Sequence, residues 1–134
     1  MIYLLDTNGW ITVLRHPTAS LAARFNALTP ADICVCSIVV AELRHGCLRS
    51  AKPTANRTAL DALLAPYVSL PFDDNAADRY AAIRHHLESN GQGIGPLDLQ
   101  IAAIALAHGC TLVTHNTAEF NRVAGLVVED WQVP

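Results

Sequence analysis

Short apolar runs alternate along this chain with longer stretches in which apolar side chains recur every three or four residues. Five runs stand out: residues 2–6 (Ile2-Tyr3-Leu4-Leu5 closing on Asp6), 33–36 (Ile-Cys-Val-Cys), 68–72, 110–114 and 126–131. Unbroken apolar runs of this length read as strands buried on both faces, the pattern of a parallel sheet. Between them the spacing turns helical. Thr18 or Ser20 can cap a helix through Leu21, Phe25 and Leu28 that stops near Pro30. Ser37 is a suitable N-cap for a helix to about Ser50, with Val40, Leu43 and Cys47 as its core stripe, and Thr54 to Ala65 reads as helix before Pro66. Asp73 or Asp74 caps a helix carrying Ala76, Tyr80, Ile83 and Leu87, with Gly91 just past its end. Pro96 occupies the first turn of a helix running from Leu97 to His108 and ending at Gly109, and Thr117 starts a short one. The β-α alternation predicts a three-layer α/β/α fold around a central parallel sheet of four to five strands.

Composition narrows the class. The 134 residues are read as one domain, long enough to bury about two-thirds of the surface of the unfolded chain. With 51% hydrophobic and 16% charged residues, a disordered chain is excluded. No apolar span of about 20 residues predicts a membrane helix. Asp6 interrupts the start too early for a signal peptide, so the expected location is the cytoplasm. Cys34, Cys36, Cys47 and Cys110 lack the paired spacing of a zinc site and are read as buried apolar residues.

Four acids fall where the sheet would gather them. Asp6 ends the first strand, Glu42 lies in the helix after the second, Asp98 opens the helix from Leu97, and Glu119 comes after the fourth strand. Ligands of open α/β sheets bind beyond the carboxyl ends of the strands. Carboxylates crowded there raise one another's pKa unless a cation neutralises them, and hard divalent cations take such oxygen ligands. The predicted site is therefore an acidic pocket for Mg²⁺ or Mn²⁺.

Each acid also has an ordinary role available. Asp6 can be a helix N-cap, with Thr7 or Asn8 the competing caps, and Asp98 sits in a first turn that favours any acid. Glu42 can pair on the helix surface with His45 or Arg49, whereas Gly46 beside them would let a substrate backbone approach. Asn116 lies nearer the strand end than Glu119 but brings no charge. Four coincident ordinary roles at one sheet edge are the weaker account.

The net charge is −3, yet with the four pocket acids set aside the remaining eight are outnumbered by nine Lys and Arg. Eight of those nine are Arg, the better fork for phosphate. An RNA partner is permitted.

At this point the residues resemble a known family. Leu5-Asp6-Thr7-Asn8, then Ser37 with Ala41-Glu42-Leu43 and Gly46, then Ile94-Gly95-Pro96-Leu97-Asp98-Leu99-Gln100-Ile101-Ala102-Ala103, and finally Leu112-Val113-Thr114-His115-Asn116-Thr117-Ala118-Glu119-Phe120-Asn121-Arg122-Val123 match its blocks in order. The chain resembles PIN-domain toxins of the VapC type, the ribonuclease half of a toxin–antitoxin pair, over its whole length. The resemblance implies a PIN fold, a Mg²⁺- or Mn²⁺-dependent endoribonuclease, a homodimer and a small cognate antitoxin. It assigns Asp6, Glu42 and Asp98 as metal carboxylates. Many PIN domains carry a fourth acid where this chain has Asn116, and Glu119 is read as its substitute.

Such a pocket supports phosphodiester hydrolysis by metal-activated water. Thr7, Ser37, Thr114 and Asn116 are candidates to orient the acids or the water. Arg15, Arg44, Arg49, Lys52 and Arg122 are candidate RNA contacts. Competing readings fit less well. A phospho-accepting receiver domain needs a lysine after the last strand, and the only lysine is Lys52; a haloacid-dehalogenase-like phosphatase needs Asp-x-Asp where Asp6-Thr7-Asn8 stands. A metal-free ribonuclease needs paired histidines, but His85-His86 fall on a helix away from the strand ends, leaving only His45 and His115 in reach. A non-catalytic RNA-binding PIN domain is the remaining alternative.

Overall fold

Five strands, all parallel, form the centre of the computed structural model, which describes residues 1–134. They are β1 (Tyr3–Leu5), β2 (Ile33–Cys36), β3 (Val68–Leu70), β4 (Thr111–Val113) and β5 (Val128–Glu129), in the order β3-β2-β1-β4-β5. Tyr3 pairs with Ile33 on one side and Thr111 on the other, and Val113 pairs with Glu129. The chain steps outward from β1 to β3, then returns to lay β4 on the opposite side of β1. That reversal opens a crevice beyond the carboxyl ends of β1 and β4, where open α/β sheets place their ligands.

Seven helices cover the sheet: α1 (Thr7–Leu14), α2 (Ala19–Asn26), α3 (Ser37–Leu48), α4 (Pro53–Leu64), α5 (Asp74–Ser89), α6 (Pro96–Ala107) and α7 (Thr117–Phe120). The α/β/α reading of the sequence therefore holds. Thr18 caps α2 through the Leu21 N–H, and Asp73 caps α5 through the Ala76 N–H, as their spacing suggested. Gly91 and Gly109 come after α5 and α6 with φ of 65° and 64°, a left-handed turn that other residues resist. No helix is long and apolar enough to cross a membrane.

The core explains why α6 is nearly all apolar. Leu99, Ile101, Ala102, Ala103, Ile104 and Ala105 are all buried, so this helix is enclosed over most of its length. Burying a leucine or isoleucine stabilises by about 1.5–3 kcal/mol, which rigidifies the frame beneath Asp98. α1 is anchored by fully buried Trp10, whose ring lies 5.0 Å from that of Tyr67 and 5.9 Å from that of Phe25. Cys34, Cys36 and Cys110 are buried and all four thiols are free; burial pushes Cys36 up to about 11, so it stays a protonated, inert filler.

Three local expectations are corrected. Cys36, not Ser37, is the N-cap of α3, and it makes no side-chain cap bond; Ser37 has moved into the first turn because β2 runs directly into the helix. Its hydroxyl accepts the Phe72 N–H at 3.3 Å, tying the end of β3 to α3. The stripe of α3 is centred on Val39 and Leu43, with Val40 and Cys47 only partly buried at its flanks. The last strand is two residues long, so Asp130 lies past its end rather than inside it.

Candidate active site

Asp6 sits at the seam where β1 and β4 part. Its backbone N–H donates to Val113 O at 3.1 Å, which places its side chain just past both strand ends. Oδ1 accepts the Gly9 N–H at 2.8 Å, so Asp6 itself caps α1, not Thr7 or Asn8. Oδ2 accepts the Thr114 hydroxyl at 2.6 Å. The residue is 5% exposed, and burial pushes its carboxyl above the usual range; the bonds from Thr114 and Gly9 oppose that, while Glu42 and Asp130 reinforce it. Gly9 was not singled out in the sequence, yet a Cβ there would stand 3.1 Å from Asp6 Oδ1. A glycine three residues after a capping acid was the available signal.

Glu42 is half-buried in the second turn of α3, and its Oε1 accepts the Thr7 hydroxyl at 2.8 Å. It forms no ion pair with His45 or Arg49; the ion pairs of the molecule are Arg57–Asp61 and Arg84–Glu88, and His115 is hydrogen-bonded to Asp130. The surface-pair alternative for Glu42 is thereby removed. Thr7 opens α1, so one hydroxyl links the helix capped by Asp6 to the helix bearing Glu42.

Asp98 is half-buried in the first turn of α6. Its carboxyl is raised to about 6, first by burial and then by the charges of Glu119, Asp6 and Glu42. The other three acids thus all stand near enough to raise Asp98. Glu119 in α7 is held by two bonds: Oε1 accepts the Gly95 N–H at 3.0 Å, and Oε2 accepts the amide of Asn116. The Asn116 N–H in turn donates to Thr114 Oγ1 at 3.0 Å. Thr114 therefore couples the Asp6 end of the pocket to the Glu119 end.

A PIN-domain family model matches residues 3–126 of the chain. The chain belongs to the PIN-domain family. The tRNA(fMet)-specific endonuclease VapC of Shigella flexneri is 36% identical over 129 residues, covering 96% of this chain and 97% of that protein. The crystal structure of VapBC2 from Rickettsia felis bound to a DNA fragment from their promoter holds a chain 35% identical to this one. It superposes with a TM-score of 0.89, covering 98% of this chain and 99% of that one. DNA-bound VapBC from Salmonella typhimurium gives 0.91 at 32% identity, with 98% of each chain covered. Within the PIN family its relatives are of the VapC type, as the sequence blocks suggested.

The chemistry of this pocket suits a divalent cation. All four donors are carboxylates, hard oxygen ligands, and no lysine or arginine pairs with any of them. As the side chains stand, no three close around a common point. Like charges push apart, and Thr7, Gly95 and Asn116 hold the two glutamates back; rotation about their flexible torsions is what closure requires.

The remaining predicted residues divide by location. Arg15, Gly46 and Glu42 line a cavity of about 310 Å³ with Ile11, Leu43 and Leu60, between α1, α3 and α4. Arg122 reaches back to Gly93 O at 3.4 Å, beside the loop that holds Glu119. Arg44, Arg49 and Lys52 are exposed and pair with no acid. Ser37, engaged by Phe72, makes no bond to the pocket acids. Asp130 was missed altogether: it comes directly after β5 as Asp6 does after β1, but the sequence placed it inside a longer strand.

Proposed function

We propose that this chain is the toxin of a toxin–antitoxin pair, a Mg²⁺- or Mn²⁺-dependent endoribonuclease acting in the cytoplasm as a homodimer and silenced by a small cognate antitoxin. The observation that carries this reading is the pocket at the β1–β4 seam, where Asp98 is raised to about 6 by burial and by three unpaired acids. When bound there, the cation supplies charge neutralisation at the scissile phosphate and activation of water.

The chain's own residues prepare that chemistry. Thr114 and the Gly9 N–H fix both oxygens of Asp6, leaving its outer lone pairs directed past the strand ends. Thr7 holds Glu42, and Gly95 with Asn116 holds Glu119, in the metal-free arrangement from which both glutamates would turn toward a cation. Asp98, raised in the metal-free pocket by burial and by the neighbouring acids, would hold the cation together with them. Arg15, Arg44, Arg49, Lys52 and Arg122 are the basic groups available to RNA phosphates. The apolar cavity beside Glu42 supplies a seat for an antitoxin segment, with the acids as partners for a basic side chain.

Expression of the chain without an antitoxin tests this reading. Growth arrest is expected, together with relief by Asp6→Asn or Asp98→Asn in proteins that remain folded. Arrest that persists with both acids neutralised contradicts it.

A further inference from the structure

Three adjacent strand ends carry one feature that the carboxylate pocket does not use. Asp6 lies just past β1, Thr114 and His115 just past β4, and Asp130 just past β5; the Thr114 N–H donates to Glu129 O at 3.0 Å, which sets His115 against Asp130. His115 Nδ1 lies 2.9 Å from Asp130 Oδ2. A carboxylate only accepts, so the proton of this bond sits on Nδ1 and the other ring nitrogen, Nε2, is left free.

The two ends of the pair differ in a way that an ordinary surface pair does not. The Asp130 side chain is 14% exposed, whereas that of His115 is 61% exposed. Asp130 is also fixed independently of the histidine, because its Oδ1 accepts the Gln132 N–H at 2.9 Å and its carbonyl accepts from Arg24 at 3.1 Å. A partly buried, anchored acid thus orients an exposed imidazole. That imidazole is adjacent in the chain to Thr114, whose hydroxyl touches Asp6 at 2.6 Å. His115 follows β4, the strand paired with β1, so its exposed ring stands at the same end of the sheet as Asp6.

We propose that His115, held by Asp130, contacts the RNA backbone next to the scissile phosphate and so sets substrate affinity, while Asp130 acts only as its positioning residue. The inference rests on the ribonuclease reading. With its proton on Nδ1 the neutral ring accepts the ribose 2′-hydroxyl at Nε2, and as an imidazolium it donates from Nε2 to a phosphate oxygen.

Initial-rate cleavage of a dye–quencher oligoribonucleotide of mixed sequence provides the test, run on wild type, His115→Ala, Asp130→Asn and the double variant. One lost hydrogen bond predicts a KM raised about five- to tenfold in His115→Ala with kcat within about twofold. Asp130→Asn keeps an oxygen for Gln132 but turns the acceptor for Nδ1 into a donor or loses its charge, so it should raise KM less. In the His115→Ala background it should add nothing. A weaker salt dependence of KM in His115→Ala assigns the contact to phosphate. Equal KM of wild type and His115→Ala on a 2′-deoxy-substituted oligonucleotide assigns it to the ribose. Wild-type cleavage with a native KM in His115→Ala overturns the inference alone, as does an Asp130→Asn effect that persists without the histidine. A wild type that cleaves no RNA overturns the nuclease reading and this inference with it.

Discussion

The Thr114 hydroxyl donates to Asp6 Oδ2 at 2.6 Å, across the seam between the fourth and first strands. Both residues are buried, so this bond satisfies a carboxylate largely shielded from water. Thr114→Val keeps the shape and leaves Asp6 Oδ2 and the Asn116 N–H without a partner. The expected cost is about 1–3 kcal/mol, read as a lower midpoint in urea unfolding. Thr114→Ser should recover most of it, since the hydroxyl and not the methyl is at issue.

Asp98 gives the metal-free protein a definite pH dependence. Its carboxyl is raised from 3.8 to about 6, so the folded state binds this proton more tightly than the unfolded state. The resulting stabilisation is fully present below about pH 4 and is lost as pH rises through about 6. Asp6 is raised as well and acts in the same direction. In EDTA at pH 7, Asp98→Asn should therefore melt at a higher temperature than wild type, and the difference should vanish near pH 4. Added Mg²⁺ should raise the melting temperature of wild type more than that of the variant. Differential scanning fluorimetry across pH checks both signs.

Glu119 and Asn116 divide the fourth position between them. Glu119 brings charge and is placed by the Gly95 N–H and by Asn116. Glu119→Gln should lose most RNA cleavage and weaken Mn²⁺ binding in titration calorimetry. Asn116→Ala should cost less, roughly tenfold, because it only orients the glutamate. Asn116→Asp adds an acid beside Glu119 and should tighten metal binding. Native cleavage in Glu119→Gln would reduce the site to three carboxylates.

Strand positions were legible because buried parallel strands leave unbroken apolar runs, and the four acids could be proposed because the ends of those runs, and the helices that follow them, meet at one end of the sheet. Thr114 and Thr7 were also visible as polar residues adjoining two of those acids. Their partners were not, since a hydroxyl between Asp6 and Thr114 depends on which strands are neighbours. The capping role of Asp6 competed with Thr7 and Asn8, and only the backbone geometry at Gly9 decided it. Asp130 was hidden by a boundary error of a few residues: Leu126 to Trp131 reads as one strand, but only Val128 and Glu129 pair. Ser37 looked like a cap because its residue type favours one, while β2 passes into its helix without a break.

The antitoxin interface should be both apolar and electrostatic. Ile11, Leu43 and Leu60 line the cavity that reaches Glu42. Binding of an antitoxin segment there should weaken with rising salt and with Glu42→Gln, and Gly46→Trp should block it by filling the cavity. Surface plasmon resonance with the cognate antitoxin reads all three. An affinity indifferent to salt and to both substitutions would place the interface elsewhere.

The central claim is that the acids at the sheet end cleave RNA through a divalent cation and an activated water. Its most direct test is the chemistry of the products, read by end-labelling and mass spectrometry of an RNA cut by the purified protein. Activity present in Mg²⁺ or Mn²⁺, absent in excess EDTA and restored on adding the metal back, with 5′-phosphate ends, is the predicted result. Undiminished cleavage in EDTA, or 2′,3′-cyclic phosphate ends formed by attack of the neighbouring 2′-hydroxyl, would contradict it.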